Sequence, residues 1–204
     1  MQTAAILAGG RARRLGGRDK SRIVIGGRTI LARQLDVLQQ VVPRIVIIAN
    51  APEQFADAGV PVLPDAVPGS GSLGGIYTAL ADAGGPVLVL AGDMPFVTAP
   101  FLARVIEAGQ EADIAIPRGD DGYQPLCANY APACAGPLRR RIERGALKVV
   151  DLLADVRVRE LGPDEIAPFD ADGLLLLNVN TADDVVRAKR AARERAGAKA
   201  SRQS

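Results

Sequence analysis

The chain begins with an apolar run that ends on paired glycines and a cluster of cations. Residues 4–20 read Ala-Ala-Ile-Leu-Ala-Gly-Gly-Arg-Ala-Arg-Arg-Leu-Gly-Gly-Arg-Asp-Lys. Met1 to Ala8 fits a buried strand. Gly9 and Gly10 carry no Cβ, so the backbone can turn tightly there and bring its N–H groups close to a ligand. Arg11, Arg13, Arg14 and Lys20 add positive charge around those donors. Together they suit a polyphosphate. Taken alone, the loop also fits a Gly-rich turn with a solvated basic face. It is neither of the two common phosphate loops. It lacks Gly-Lys-Ser/Thr, and it lacks Gly-x-Gly-x-x-Gly followed by an acidic ribose ligand.

Behind this loop, short apolar runs alternate with helical patterns. Thr3–Ala8, Arg44–Ala49, Val60–Leu63 and Pro86–Ala91 read as strands, and Ile30–Val42 and Leu73–Ala83 as helices, with Thr29 and Ser72 as N-caps. Such alternation predicts βαβ units and a mostly parallel, Rossmann-like sheet in a three-layer α/β/α fold. Thr98 and Pro100 open a helix running to Ala108, and Ile114–Pro117 is a further strand. Tyr123–Tyr130, Val156–Leu161 and Leu174–Leu177 read as strands, Ala131–Gly145 and Ala182–Arg195 as helices. Thr181 and Asp184 have the spacing of a capping box. The Gly/Pro/Asp-rich loops Pro64–Leu73 and Arg118–Gly122 are expected around the site.

At 204 residues and 48% hydrophobic content the chain suits one α/β domain with an aliphatic core. We take residues 1–195 as that domain, with a basic, frayed tail over 196–204. A net charge of +2 argues against nucleic acid as the main partner. No apolar run approaches the roughly 20 residues of a membrane span. Cys127 and Cys134 show no metal spacing, and a cytoplasmic protein is the simplest expectation. Histidine is absent, which excludes Ser-His-Asp triads and His-ligated zinc. Chemistry must rest on carboxylates, cations, a hard metal and backbone dipoles.

Asp93 follows an apolar strand in Leu-Ala-Gly-Asp-Met-Pro-Phe-Val. Ligands gather at the carboxyl ends of parallel strands. An acid there can hold Mg²⁺ against a triphosphate, or it can cap a turn. Asp65 precedes Pro68-Gly69-Ser70-Gly71-Ser72-Leu73-Gly74-Gly75. A carboxylate there can accept hydrogen bonds from the N1 and N2 edge of guanine, and a solvated turn is the other reading. Asn178 and Asn180 flank Val179, so both can point to one side of an extended segment; capping by Asn180 or Thr181 is equally open.

Residues 7–20 resemble the Leu-Ala-Gly-Gly-x-x-x-Arg-x-Gly-x-x-x-Lys loop of nucleotidyltransferases of the nucleotide-diphospho-sugar transferase fold, through Leu7, Ala8, Gly9, Gly10, Arg14, Gly16 and Lys20. The Gly-Asp-Met-Pro stretch resembles that of molybdenum cofactor guanylyltransferases, and Asn178-Val179-Asn180-Thr181 resembles their Asn-x-Asn-Thr-Pro motif, with Ala182 in place of the proline. The resemblance implies GMP transfer from GTP to the phosphate of molybdopterin, with pyrophosphate released. It implies Arg14, Lys20 and Asp93 as catalytic residues and Asp93 as the Mg²⁺ ligand. It places the nucleotide on Leu7, Ala8, Gly9, Gly10, Lys20, Asn50, Asp65, Gly74 and Asp93, in a nucleotide-binding half over about 1–100, and the acceptor on Asn178 and Asn180, in an acceptor-binding half over about 101–195. Molybdoenzymes or their chaperones are the implied partners of a monomer or weak oligomer, with no nucleic acid or membrane involved. A cytidylyltransferase of the same fold and a non-catalytic nucleotide-binding protein are the alternatives.

Overall fold

A computed structural model describes residues 1–8 and 19–201. Among the described residues ten strands run in chain order. They are β1 (Thr3–Leu7), β2 (Val24–Ile25), β3 (Arg28–Thr29), β4 (Arg44–Ile48), β5 (Val62–Leu63), β6 (Val87–Ala91), β7 (Ile114–Gly119), β8 (Gly122–Tyr123), β9 (Cys127–Tyr130) and β10 (Val158–Leu161). The helices are α1 (Ile30–Leu38), α2 (Gly71–Ala83), α3 (Ala99–Ala108), α4 (Ala135–Glu143), α5 (Pro163–Ile166) and α6 (Ala182–Ser201). The main sheet runs β10-β7-β9-β6-β1-β4-β5, with β8 added to β7. Pairs β1–β4, β1–β6, β4–β5 and β7–β10 are parallel, whereas β9 lies antiparallel to both β6 and β7.

Alternation along the strands divides the core in two. Ala4, Ile6, Leu88 and Leu90 face α1 and α3 with Leu31, Leu38, Phe101 and Leu102. Ala5, Val46, Val87 and Val89 face α2 and α4 with Leu73, Ile76 and Leu138. Neighbouring residues of a strand point to opposite faces, so helices must cover both sides. The expected mostly parallel sheet between helical layers is therefore present.

The register sets the site. Leu7 lies beside Ile48 on one flank and Ala91 on the other, and Ile48 lies beside Leu63. These four residues form a row across the carboxyl ends of β1, β4, β5 and β6. Asn50, Asp65 and Asp93 each stand two residues beyond their member of that row.

Several local expectations change. Val60–Leu63 shortens to β5, because Pro61 has no N–H to give the ladder. Tyr123–Tyr130 is not one strand. Gln124 N–H turns back to the Pro117 carbonyl and Cys127 N–H to that of Gln124, and Pro125 interrupts any continuous donor row. Leu174–Leu177 is a turn, because the Asp170 carboxylate accepts the N–H groups of both Leu174 and Leu175, at 2.8 and 2.9 Å. The N-cap position of α2 is Ser70, not Ser72, and its side chain makes no capping bond. The last helix continues past Arg195 to Ser201, so the basic segment expected to fray from 196 is helical that far, with no proline to stop it. Thr29 does cap α1, accepting from Ala32 N–H at 3.1 Å.

One ion-pair cluster fastens the β10 edge. Glu165 accepts from Arg159 at 2.8 and 2.9 Å and from Arg104 at 2.7 Å, joining β10, α5 and α3. Its hydrogen bonds with Arg159, aided by Arg104, hold its carboxyl at about 2, against an ordinary value of 4.5. Above 4.5 both folded and unfolded chains carry the charge, and the cluster contributes in full. Between 4.5 and 2 the unfolded chain takes up a proton that the folded chain refuses, and the contribution is lost as pH falls. Glu165→Gln is therefore expected to lower Tm at pH 7, with the gap to wild type closing towards pH 2. Thermal melts across that range check it, and a gap that stays constant contradicts it.

Candidate active site

The row of strand ends opens on a cavity of about 600 Å³. Leu7, Ala8, Lys20, Asn50, Asp65, Asp93, Asn178 and Asn180 all line it, so the structure gathers most of the residues singled out from the sequence. Gly9, Gly10, Arg14 and the rest of 9–18 lie outside the described residues. Gly74 does not line the cavity. A Cβ on it would lie 2.9 and 3.0 Å from the two Asp65 oxygens, so its bare backbone lets the Asp65 carboxylate pack against α2. Of the two expected loops, Pro64–Leu73 supplies Asp65, Gly69, Gly71 and Ser72 to the wall, and Arg118–Gly122 supplies nothing.

Lys20 sits in a short 3₁₀ turn, Lys20–Arg22, which Asp19 caps through Ser21 N–H at 2.8 Å. Its ammonium donates to Asp93 Oδ2 at 3.0 Å and to the amide oxygen of Asn180. Asp93 Oδ1 is buried with no hydrogen-bond partner. A buried carboxylate oxygen without a donor is costly, and a bound cation is one way to satisfy it. Among the described residues no cluster of three or more Asp, Glu, His or Cys forms a metal cage. One carboxylate with an amide oxygen beside it is the sparse donor set of Mg²⁺, which takes its remaining ligands from water and substrate phosphates. The residues present therefore fit such an ion.

Asp65 is fixed as firmly. Its Oδ1 accepts from Val67 N–H at 2.9 Å and lies 3.1 Å from the Thr78 hydroxyl. Among the described residues Oδ2 makes no hydrogen bond. The α2 N-terminus, with Gly71 and Ser72 on the wall, adds backbone donors to the same side. Opposite, Val179 N–H donates to the Asp93 carbonyl at 2.9 Å, which draws the Asn178–Asn180 segment into the site. Thr181 and Asp184 close a reciprocal box at 3.2 and 2.8 Å, so Thr181 takes the capping role and Asn180 stays available to Lys20. Asn178 reaches Gln124 at 3.5 Å. Cys127 lies in the core, where burial pushes its thiol up to about 12. Arg139 and Arg141 pair with Glu143 and Asp155 away from the cavity. The sequence reading passed over Gln34. It is fully buried on α1 and reaches the Asp93 loop. A lone amide on an apolar helical stripe was the available signal.

A carboxylate just beyond a parallel strand end, paired with a lysine and facing a glycine-lined wall, is an arrangement that suits a nucleotide. Residues 4–158 match the family described as MobA-like NTP transferase domain, and the chain belongs to that family. A probable molybdenum cofactor guanylyltransferase of Pelotomaculum thermopropionicum is 34% identical over 189 residues, covering 92% of this chain and 91% of its own. Molybdopterin-guanine dinucleotide biosynthesis protein A of Archaeoglobus fulgidus superposes with a TM-score of 0.81 at 29% identity, covering 94% of this chain and 99% of its own. A Mycobacterium tuberculosis protein solved in complex with manganese superposes at 0.68 with 25% identity, covering 93% and 98%.

Gly74→Ala tests the packing behind Asp65. The added methyl must displace the carboxylate, at the ~1–3 kcal/mol typical of overpacking. The expected result is a folded protein with weaker protection by GTP in thermal melts. Unchanged protection would show that Asp65 tolerates the shift.

Proposed function

We propose that the protein transfers GMP from GTP to the terminal phosphate of molybdopterin and releases pyrophosphate. The observation that carries this reading is the row of strand ends, which sets Asn50, Asp65 and Asp93 around one cavity with Lys20 on Asp93.

An oxygen of the pterin phosphate attacks the α-phosphorus of GTP, the bond to the bridging oxygen of the β-phosphate breaks, and pyrophosphate departs. That phosphate oxygen is already ionised near neutrality, so no general base is needed, and the absence of histidine costs nothing. The protein's task is alignment and charge compensation. Lys20 donates to the phosphates, with Gly9, Gly10 and Arg14 assigned to the β/γ end. Asp93, with Asn180 beside it, would hold Mg²⁺, which would supply positive charge to the phosphates. Asp65 and the wall from Gly69 to Gly75 take the guanine. Asn178 and Asn180 lie on the acceptor side, and the division into halves near residue 100 follows from this. We assign the activity to the cytoplasm, with molybdoenzymes or their chaperones as recipients of the product.

The direct test is pyrophosphate release from GTP with Mg²⁺ and molybdopterin. GTP should support it and CTP should not. Lys20→Ala should cut the rate by about 10²–10³ while the protein stays folded. Turnover with CTP alone would move the protein to the cytidylyltransferases, and no turnover with either would favour a non-catalytic binder.

Asp65→Asn tests base choice. Val67 N–H would select the amide oxygen of the new side chain, leaving its NH₂ where Oδ2 stood. That group opposes the N1–H and N2–H₂ donors of guanine, and a mismatched hydrogen-bond partner is heavily penalised. kcat/KM should fall for GTP more than for ITP, which lacks the N2 amine. A constant GTP/ITP ratio would show that Asp65 does not read the base edge.

A further inference from the structure

Among the described residues three buried side-chain polar atoms lack a hydrogen-bond partner. Two of them are Asp93 Oδ1 and Gln34 Oε1. Gln34 is 0% exposed, on the apolar face of α1 beside Leu31 and Leu38. Its amide nitrogen donates to the Ala91 carbonyl at 2.7 Å and to the Met94 carbonyl at 3.0 Å. Those carbonyls bracket Gly92 and Asp93. The amide cannot be turned over, because its oxygen would then face both carbonyls. As packing alone, glutamine is a poor choice here. Leucine or methionine would fill similar space without an orphaned acceptor, which costs about 1–3 kcal/mol.

Two further backbone groups of the loop have partners. Gly92 N–H donates to the Leu7 carbonyl at 3.0 Å, and the Asp93 carbonyl accepts from Val179 N–H. Among the described residues only Gln34 serves the carbonyls of Ala91 and Met94, so its two donors hold the chain on either side of the peptide carrying Asp93.

We propose that Gln34 is a positioning residue. It clamps the loop on either side of Asp93 and so aims the carboxylate at the metal–nucleotide. The inference rests on the assignment of Asp93 above. Residues that orient a metal ligand typically contribute 10–100-fold to metal affinity or activity.

The experiment reads the factor by which Mn²⁺ tightens GTP binding, with no acceptor present. Gln34→Met keeps length and volume and removes both donors. It should cut this factor about tenfold or more and leave metal-free GTP affinity unchanged. Gln34→Glu, buried as the neutral acid, keeps one O–H donor and should fall between; it carries the test if the methionine variant does not fold. Leu138→Ala, on the opposite face of the sheet, controls for stability loss and should leave the factor intact. A lowered Tm with a wild-type factor in the folded Gln34 variants would reduce Gln34 to packing and overturn the proposal. Asp93→Asn separates the two readings. Loss of the factor there but not in the Gln34 variants sinks the Gln34 role alone. A wild-type factor in Asp93→Asn, or no GTP binding by the wild type, sinks the assignment of Asp93 and the Gln34 role with it.

Discussion

The parallel pairing of β1 with strands on both flanks is the constraint from which the site follows. A parallel ladder locks strands in phase, so their carboxyl ends fall on one line. Leu7, Ile48, Leu63 and Ala91 occupy that line. Beyond three of these strand ends Asn50, Asp65 and Asp93 follow within two residues, so segments far apart in sequence deliver side chains to one cavity. β6 and all but one end residue of β1 and of β4 are buried, and β5 is half-buried, so the register is held by the core and not by the polar residues that use it.

Against this rigid row, the polar groups of the site are held by backbone hydrogen bonds. Val67 N–H holds Asp65 alongside the Thr78 hydroxyl, and Val179 N–H holds the Asp93 peptide alongside the Gln34 amide. Lys20 then acts as counter-ion to Asp93 within the cavity. An incoming metal–nucleotide brings both a cation for the carboxylate and anions for the ammonium, so the pair can exchange partners with little change in net local charge.

Much of this was legible in the sequence. Asp65 and Asp93 stand out because each follows an apolar run broken by Pro64 or Gly92, and Asn50 comes directly after the run Arg44–Ala49. The capping box at Thr181 was readable from spacing alone. What failed was decided at a distance. Leu174–Leu177 is as apolar as a strand, but the Asp170 carboxylate takes its N–H groups before any neighbouring strand can. Gln34 looks like an ordinary helical residue until the loop it serves, some 60 residues on, is in place. The β2–β3 hairpin is an intermediate case: Gly26 and Gly27, both at positive φ, carry a readable two-residue turn signal, but two-residue strands give no periodicity to detect.

The Asn178–Asn180 segment leads directly into α6, whose Ala188, Ala191 and Ala192 pack with Ile25, Ile30 and Phe96. The chain's end is therefore stitched to its beginning through the pocket itself. Docking of the final helix and the seating of Asn180 in the cavity share the box formed by Thr181 and Asp184. A bound nucleotide should then slow amide exchange not only in the loops it touches but along the last helix, and damage to that helix should be felt first as a loosened grip on ligand.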